Sequence, residues 1–478
     1  MAFGITGWGS YVPRLRLERA AIAATHAWMA PGLKGQAKGR RAFCGWDEDV
    51  ITMAVEAARE CLGKHSRTNM REVQLASTTS PFADVQPSAI VAVALQLDRH
   101  IRTLDLSGSQ RASIAGLAGL LETATRPTLF IGSERPRARP ASVQEMQYGA
   151  GAAAFVIGNE NVAAEIIGSA STTTLFVDHF RAAGEPYDYF WEERWIRDEG
   201  YLKIGAEAVR RALTQAGVAA NAVTKLIFPS PSKGMAPALA KASGLADNVV
   251  ADQLDFDAGY AGTAHCLLML ADALDKASPG DVIVAGSLAQ GCDVVVLRAT
   301  DMVTSARPGK STMEVLAEGF SVQSYAQMAS FYGEISPEWG MRAERDTKTA
   351  LTEQYRSSDQ ITGFVAGKCG SCGQVQFPQL SYCVNCKASA KGFSSLSLAD
   401  ERAQVLTYTA DALAYHPSPP LYAGFAQFDV GARLLMEFAD VRPETFDVGT
   451  PLRMRFRIKE HDGERGYNRY FWKAAPAR

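Results

Sequence analysis

Two stretches of this 478-residue chain carry residue types at spacings that do chemistry. In "CGSCGQVQFPQLSYCVNC", Cys369, Cys372, Cys383 and Cys386 form two C-x-x-C pairs across a ten-residue connection. Each pair lets a tight knuckle present two thiolates, and together they close a tetrahedral S₄ shell that suits Zn²⁺. All four ligands come from protein and no position is left for water, so the expected site is structural. It would stabilise a segment too small to form its own core. Iron is the alternative ion, although a rubredoxin-like electron carrier would not explain the strands that follow. The second stretch is "RTLDLSGSQRASIAGLAGLL", residues 102–121. A strand, a tight turn and a buried helix lift one side chain into a site and aim a helix N-terminus at it. That position calls for a nucleophile, yet it holds Gln110, whose amide is not one.

The elements around these stretches follow from hydrophobic periodicity. "GITGWGSYV", "VQLAST", "RTLDL", "PTLFIGS" and "GAGAAAFVIG" read as strands. "EDVITMAVEAARECLG" and "SIAGLAGLLETA" read as helices, the first with acids at its start and Gly at its end. A similar order recurs in "AAEIIGSAS", the helix "YLKIGAEAVRRALTQAG", the strand "TKLIFPS", the helix "APALAKASG", "NVVADQLD", the helix "GTAHCLLMLADALDKA" and the strands "DVIVAGS" and "CDVVVLRA". Strand–helix alternation predicts parallel sheets covered by helices, and its recurrence predicts an internal duplication. From about residue 301 the composition changes. Polar, helix-prone segments ("SYAQMASFYG", "RDTKTALTEQYR") lead to the cysteine cluster. Short strand-like runs separated by Gly, Pro and Asp then predict a small β-barrel or sandwich.

Composition narrows the class of function. With 47% hydrophobic and 21% charged residues the chain is globular, and its length predicts two or three domains. A formal net charge of −2 gives no reason to expect nucleic-acid binding or attraction to anionic membranes. The apolar runs are shorter than a membrane span, and no signal-peptide pattern opens the chain, so a cytoplasmic location is expected. Eight cysteines in such a chain argue for thiols or metal ligation over disulfides.

Several motifs in the first 300 residues resemble the hydroxymethylglutaryl-CoA synthase branch of the thiolase superfamily, with ketoacyl synthase III as a more distant relative. They are "GITGWGSYVPRLRL", "DEDVITMAVEAAREC" (Asp47–Cys61), "QYGAGAAAFVIG" (Gln147–Gly158), "VDHFRAAGEPY" (Val177–Tyr187) and "LADALDKASPGDVIVAGSLAQGCDVVVL". The resemblance implies the duplicated five-layer α-β-α-β-α thiolase fold, a homodimer and a coenzyme A thioester as substrate. Residues from about 366 onward resemble the zinc-ribbon plus OB-fold family that accompanies thiolase-like partners in acyl-CoA-processing complexes, here fused. The expected division is 1–165 and 166–310 for the two thiolase halves and 311–365 for a helical linker. A rubredoxin-like zinc ribbon over 366–392 and an OB-type barrel over 393–478 complete it.

Thiolase-type condensation needs a thiolate to carry the acyl group, His and Asn to polarise a thioester, and a base for the Cα proton. The family pattern places the Cys at Gln110, the His at Pro229, the Asn at Tyr260 and the synthase's Glu at Thr79. All four differ from the family, so an acyl-enzyme is not expected. Three readings remain. The favoured one is a non-covalent (retro-)aldol lyase acting on a 3-hydroxyacyl-CoA, as in thiolase-fold aldolases that lack the cysteine. The second is a synthase-like acyltransferase or a Cys→Gln decarboxylase. The third is a non-catalytic acyl-CoA-binding scaffold.

For the lyase, Tyr260 is the leading acid/base, with Gln110 and the Ser-Gly-Ser amides as donors to the thioester oxygen. His265, Asp178 and His179 are further catalytic candidates; the alternatives are a core histidine for His265 and a helix cap for Asp178. Ser109, Arg111 and Lys233 are the candidate coenzyme A contacts, the two cations facing phosphate. Cys44, Cys61, Cys266 and Cys292 are expected to be buried small hydrophobes. "FWEERWIRDEG" (Phe190–Gly200) is expected to be a solvated helix face, with a lid or dimer contact as the alternative.

Overall fold

Strand order shows the duplication directly. The computed structural model describes residues 3–63 and 65–477 and divides them into two compact units. The first holds a nine-stranded sheet: β1 (Gly4–Tyr11), β2 (Glu72–Ala76), β3 (Arg102–Leu106), β4 (Thr128–Glu134), β5 (Gly151–Gly158), β6 (Ala164–Thr173), β7 (Lys225–Ile227), β8 (Val282–Leu288) and β9 (Gly291–Ala299). Their order is β7-β8-β9-β6-β1-β5-β4-β2-β3. Outward from the centre, one half runs β1, β5, β4, β2, β3 and the other β6, β9, β8, β7 with a parallel bridge from Leu226 to Val250. In each half two antiparallel pairings precede the parallel ones. Between β1 and β6 the ladder is the single pair Ile5↔Ala164, and in the second half "NVVADQLD" takes the place of β3 with a bridge and no ladder.

Four helices complete the five layers. Helix α1 (Val50–Leu62) lies on β1, β4 and β5, and α3 (Ala206–Ala216) lies on β6 and β9. Between the half-sheets, α2 (Ala112–Thr123) and α4 (His265–Lys276) pack on each other and touch strands of both. Their near-continuous Ala, Leu and Ile composition reflects burial on all sides, and they carry much of the central core (Ile114, Leu117, Leu267, Leu270). Helix α1 starts where the sequence sets a capping box: Asp49 accepts from the amides of Ile51 and Thr52, and Thr52 Oγ1 accepts from the Asp49 amide.

One element differs from the expected pattern. The helix read as starting at Tyr201 begins at Glu193, runs as π-helix over Ile196–Gly205, and only then becomes α3. The wider turn brings Tyr201 into the interior, with its hydroxyl on the Pro229 carbonyl at 3.3 Å. "FWEERWIRDEG" spans the start of this helix, and Trp191 and Trp195 remain largely exposed.

The second unit comprises residues 335–478 with the short segments 46–48 and 90–97. It contains a three-stranded sheet, β10 (Val365–Cys369) between β11 (Val375–Gln376) and β12 (Phe393–Ser397). Five more strands follow: β13 (Ala403–Asp411), β14 (Leu421–Phe428), β15 (Arg433–Glu437), β16 (Pro451–Asp462) and β17 (Tyr467–Pro476). They run in the order β15-β14-β13-β16-β17, and the bridge Phe438↔Ala474 closes the ends into a barrel of OB type. No helix among the described residues is long and apolar enough to cross a membrane.

Candidate functional site

The strand β3, the turn Ser107–Gln110 and helix α2 form the expected frame, and Gln110 stands at its apex beside a cavity of about 650 Å³. Thr78, Ser109, Arg111, His179, Phe180, Arg181, Asp188 and Gln290 share the wall with it. The Gln110 carboxamide is held from two sides. Tyr260 Oη donates to its Oε1 at 3.1 Å, and its Nε2 donates to Asp188 Oδ2 at 3.4 Å. Asp188 also accepts from Tyr148 Oη at 2.7 Å and from the Arg181 guanidinium at 2.8 Å.

Tyr260 reaches this position because two backbones meet without side chains between them. A Cβ on Gly149 would lie 1.9 Å from the Ala258 carbonyl oxygen, and one on Gly259, at φ +78°, would lie 2.8 Å from that of Tyr148. The contact is stitched by Tyr260 N–H to Gln147 O at 2.7 Å and Gly149 N–H to Tyr260 O at 2.9 Å. Burial raises the Tyr260 phenol well above its ordinary value, helped by the nearby Tyr201 phenol and the Asp178 and Asp188 carboxylates. Tyr260 therefore keeps its proton and donates it to Gln110.

His179 and Asp178 form a second pair on the same wall. His179 Nδ1 and Asp178 Oδ2 are 2.5 Å apart, and the ring stacks on Phe190. Asp178 Oδ1 accepts from the backbone amide of Gln290 at 3.0 Å, so it orients a histidine instead of capping a helix. Burial lowers the His179 pKa, but the hydrogen bond and charge of Asp178, with Asp188 behind, outweigh this and hold it above the ordinary histidine value.

His265 is placed otherwise. Its Nε2 faces the Gln253 carbonyl at 2.7 Å and its Nδ1 accepts from the Ala261 amide at 3.2 Å, so both nitrogens serve the loop that carries Tyr260. Burial lowers its pKa to about 4. These are the contacts of a satisfied core histidine. Arg111 is paired with Asp293 at 2.5 Å, and Ser109 donates to Gln290 Oε1 at 3.0 Å. Lys233 is exposed and has no ion-pair partner among the described residues. Cys44, Cys61, Cys266 and Cys292 are buried thiols.

Three residues of the site escaped the sequence reading. Asp188 lies one residue beyond "VDHFRAAGEPY", and Gln290 occupies the turn between β8 and β9 at φ +50°, an unusual value for a side-chain-bearing residue. Glu134 ends β4, fully buried, and receives the Thr78 amide at 2.9 Å and the Thr78 hydroxyl at 3.1 Å. Burial pushes its carboxyl up to about 7 despite those bonds. An acid closing an otherwise uncharged buried strand is the signal that the sequence offers.

Comparison with known proteins fixes the family. A hydroxymethylglutaryl-CoA synthase from Aeropyrum pernix is 31% identical over 343 residues, covering 70% of this chain and 94% of that protein. The chain belongs to the hydroxymethylglutaryl-CoA synthase family. The homologue from Methanosphaera stadtmanae is 28% identical over 344 residues, 70% of this chain and 99% of its own. Among solved structures, MvaS in complex with 3-hydroxy-3-methylglutaryl coenzyme A matches with a TM-score of 0.59 at 16% identity, over 70% of this chain and 93% of that one. Residues 363–391 match a further family, "ChsH2, rubredoxin-like zinc ribbon domain".

The positions onto which the sequence analysis places the family's Cys, His, Asn and Glu hold Gln110, Pro229, Tyr260 and Thr79. Thr79 now accepts from the Arg135 amide at 2.9 Å, beside Glu134. In the ribbon, the four sulfurs of Cys369, Cys372, Cys383 and Cys386 lie within 4.8 Å of one another, with Cys369–Cys386 and Cys372–Cys383 at 3.6 Å. Tetrahedral zinc at about 2.3 Å from each sulfur needs S···S separations near 3.8 Å, so the donor set fits that ion.

Proposed function

We propose that this synthase-family protein cleaves or forms a carbon–carbon bond in a 3-hydroxyacyl-CoA by a non-covalent aldol step. The observation that carries the reading is the pairing of an immobilised amide with an aspartate-oriented histidine in one cavity, at the turn where the family's thiolate would stand. In the cleavage direction, His179 Nε2 takes the proton of the 3-hydroxyl. The hydroxyl-bearing carbon becomes a carbonyl, and the Cα–Cβ bond breaks. Its electron pair moves to Cα and the thioester oxygen as an enolate, which returns to an acyl-CoA on protonation at Cα. Gln110 Nε2–H and the amides of the Ser107–Gln110 turn donate to the enolate oxygen, where the charge develops. Lys233 is an exposed cation available to coenzyme A phosphate. Cys369, Cys372, Cys383 and Cys386 hold a structural zinc, apart from the reaction.

Incubation with a panel of 3-hydroxyacyl-CoAs that differ at C3 tests the proposal. Release of an aldehyde or ketone together with the shortened acyl-CoA is the expected result. If no member of the panel is cleaved, and none forms from the corresponding carbonyl and acyl-CoA, the lyase reading gives way to an acyl-CoA-binding scaffold.

A further inference from the structure

We infer that Asp188 is the residue that fixes which end of the Gln110 amide faces the substrate, making Gln110 a hydrogen-bond donor to the thioester oxygen. This rests on the reading of Gln110 as an enolate-stabilising group and adds what sets its polarity. A carboxamide has a donor end and an acceptor end that exchange by a half-turn about one bond, so only its neighbours decide the orientation. Tyr260 cannot decide it. Its hydroxyl donates to Gln110 Oε1 at 3.1 Å, but a hydroxyl would equally accept from an amide nitrogen in that place. Asp188 can decide it, because a carboxylate only accepts.

With Nε2 toward Asp188 Oδ2 the pair is donor and acceptor at 3.4 Å. With the amide turned, Oε1 would face Oδ2 with no proton between them. Asp188 is itself immobile. Its side chain is 4% exposed, and the Arg181 guanidinium holds Oδ1 at 2.8 Å. The Tyr148 hydroxyl is donated to Oδ2 at 2.7 Å, so it cannot turn to offer that proton to Gln110. Tyr148 Oη and Asp188 Oδ2 are close enough together for one amide hydrogen to serve both, which frees the second for an acceptor in the cavity. Asp188 thus acts through Gln110, as a positioning residue.

The consequence is readable in binding alone, before any turnover. Acetyl-CoA and its thioether analogue S-ethyl-CoA differ by the carbonyl oxygen that Gln110 would hold. The wild-type chain is expected to bind the thioester about three- to tenfold more tightly, the size of one hydrogen bond. In Asp188→Asn, which can present either a donor or an acceptor, the ratio should fall toward one. Asp188→Glu, again acceptor-only, should restore part of it. Should the Asn variant not fold, Asp188→Ser serves, being smaller and without a fixed acceptor. An unchanged ratio in a folded Asn or Ser variant overturns the inference, and so does a wild-type ratio of one. A wild-type chain that shows the preference but cleaves no 3-hydroxyacyl-CoA removes the lyase reading and leaves this assignment standing.

Discussion

At the scale of single residues, the proposed reaction assigns a held donor to Gln110 and an oriented base to His179, and each can be tested apart. His179 is the group whose protonation should govern rate. Asp178 and Asp188 raise its pKa above the ordinary histidine value while Arg181 opposes them, and only the neutral ring can take a proton. Activity should therefore climb as pH rises through that raised pKa. His179→Gln should lower kcat by about a hundredfold or more and flatten this limb of the profile. A pH profile of the variant that keeps the limb would move the base elsewhere. Glu134 gives a stability prediction of defined sign. Its carboxyl is pushed from 4.5 to about 7 by burial, so between those values the folded state holds a proton that the unfolded state has lost. Stability is fully present below pH 4.5, falls as pH rises toward 7, and is then level. The contribution is about 3 kcal/mol, at about 1.4 kcal/mol per unit. Glu134→Gln, which stays uncharged, should gain on the wild type as pH rises from 5 to 7.5 in denaturant titrations. A pH-independent difference would mean that Glu134 is ionised throughout.

At the scale of elements, the close approach of residues 147–149 to residues 258–261 is what delivers Tyr260. Gly149→Ala would press a methyl into the Ala258 carbonyl, which is backbone and cannot swing aside. A loss of about 3 kcal/mol, at the upper end of overpacking costs, is expected in chemical denaturation, with the thioester preference lost as Tyr260 is displaced. An unchanged stability would show that the loop yields freely. Elements of this kind divide what sequence discloses from what it does not. Helix α1 is legible because its apolar residues recur at helical spacing between acids at its start and Gly at its end, and the structure adds the Asp49–Thr52 capping box. The ribbon was legible because its ligands are paired locally as C-x-x-C. The π-helical run Ile196–Gly205 was not, since its turn follows from packing around Gly200 and Tyr201 rather than from a 3.6-residue period. Nor was the site's wiring. Asp188 meets Gln110 across 78 positions, and Gln290 meets Ser109 across 181, so only the closed fold brings them together. The family pattern says which residue to expect at the turn but not which ones hold Gln110.

At the scale of the whole molecule, two compact units carry two kinds of site, a cavity beside Gln110 in one and a four-sulfur cluster in the other. Within the second unit, the ribbon and the barrel share an aromatic core. Phe364, just ahead of β10, stacks on Trp472 of the barrel at 6.0 Å and meets Phe377, Phe428 and Phe471 edge-on. The ribbon itself offers little to bury beyond Ala366, Val375, Gln376 and two of its cysteines. Its fold must lean on the ion, and structural zinc supplies apparent binding energies of about 10 kcal/mol or more, comparable to the entire stability of a domain. Removing the ion should therefore loosen the ribbon and, through Phe364 and Phe377, the barrel with it. Scanning calorimetry of the full chain should show two transitions, one of which falls by tens of degrees on chelation while the other is unmoved. Cys383→Ser, at a buried ligand position, should reproduce the effect. Acetyl-CoA affinity, measured below the remaining transition, should stay within twofold, because every residue around Gln110 belongs to the first unit. A single transition that shifts as a whole, with acyl-CoA binding lost alongside it, would mean that the zinc ribbon supports the thioester site as well as its own unit.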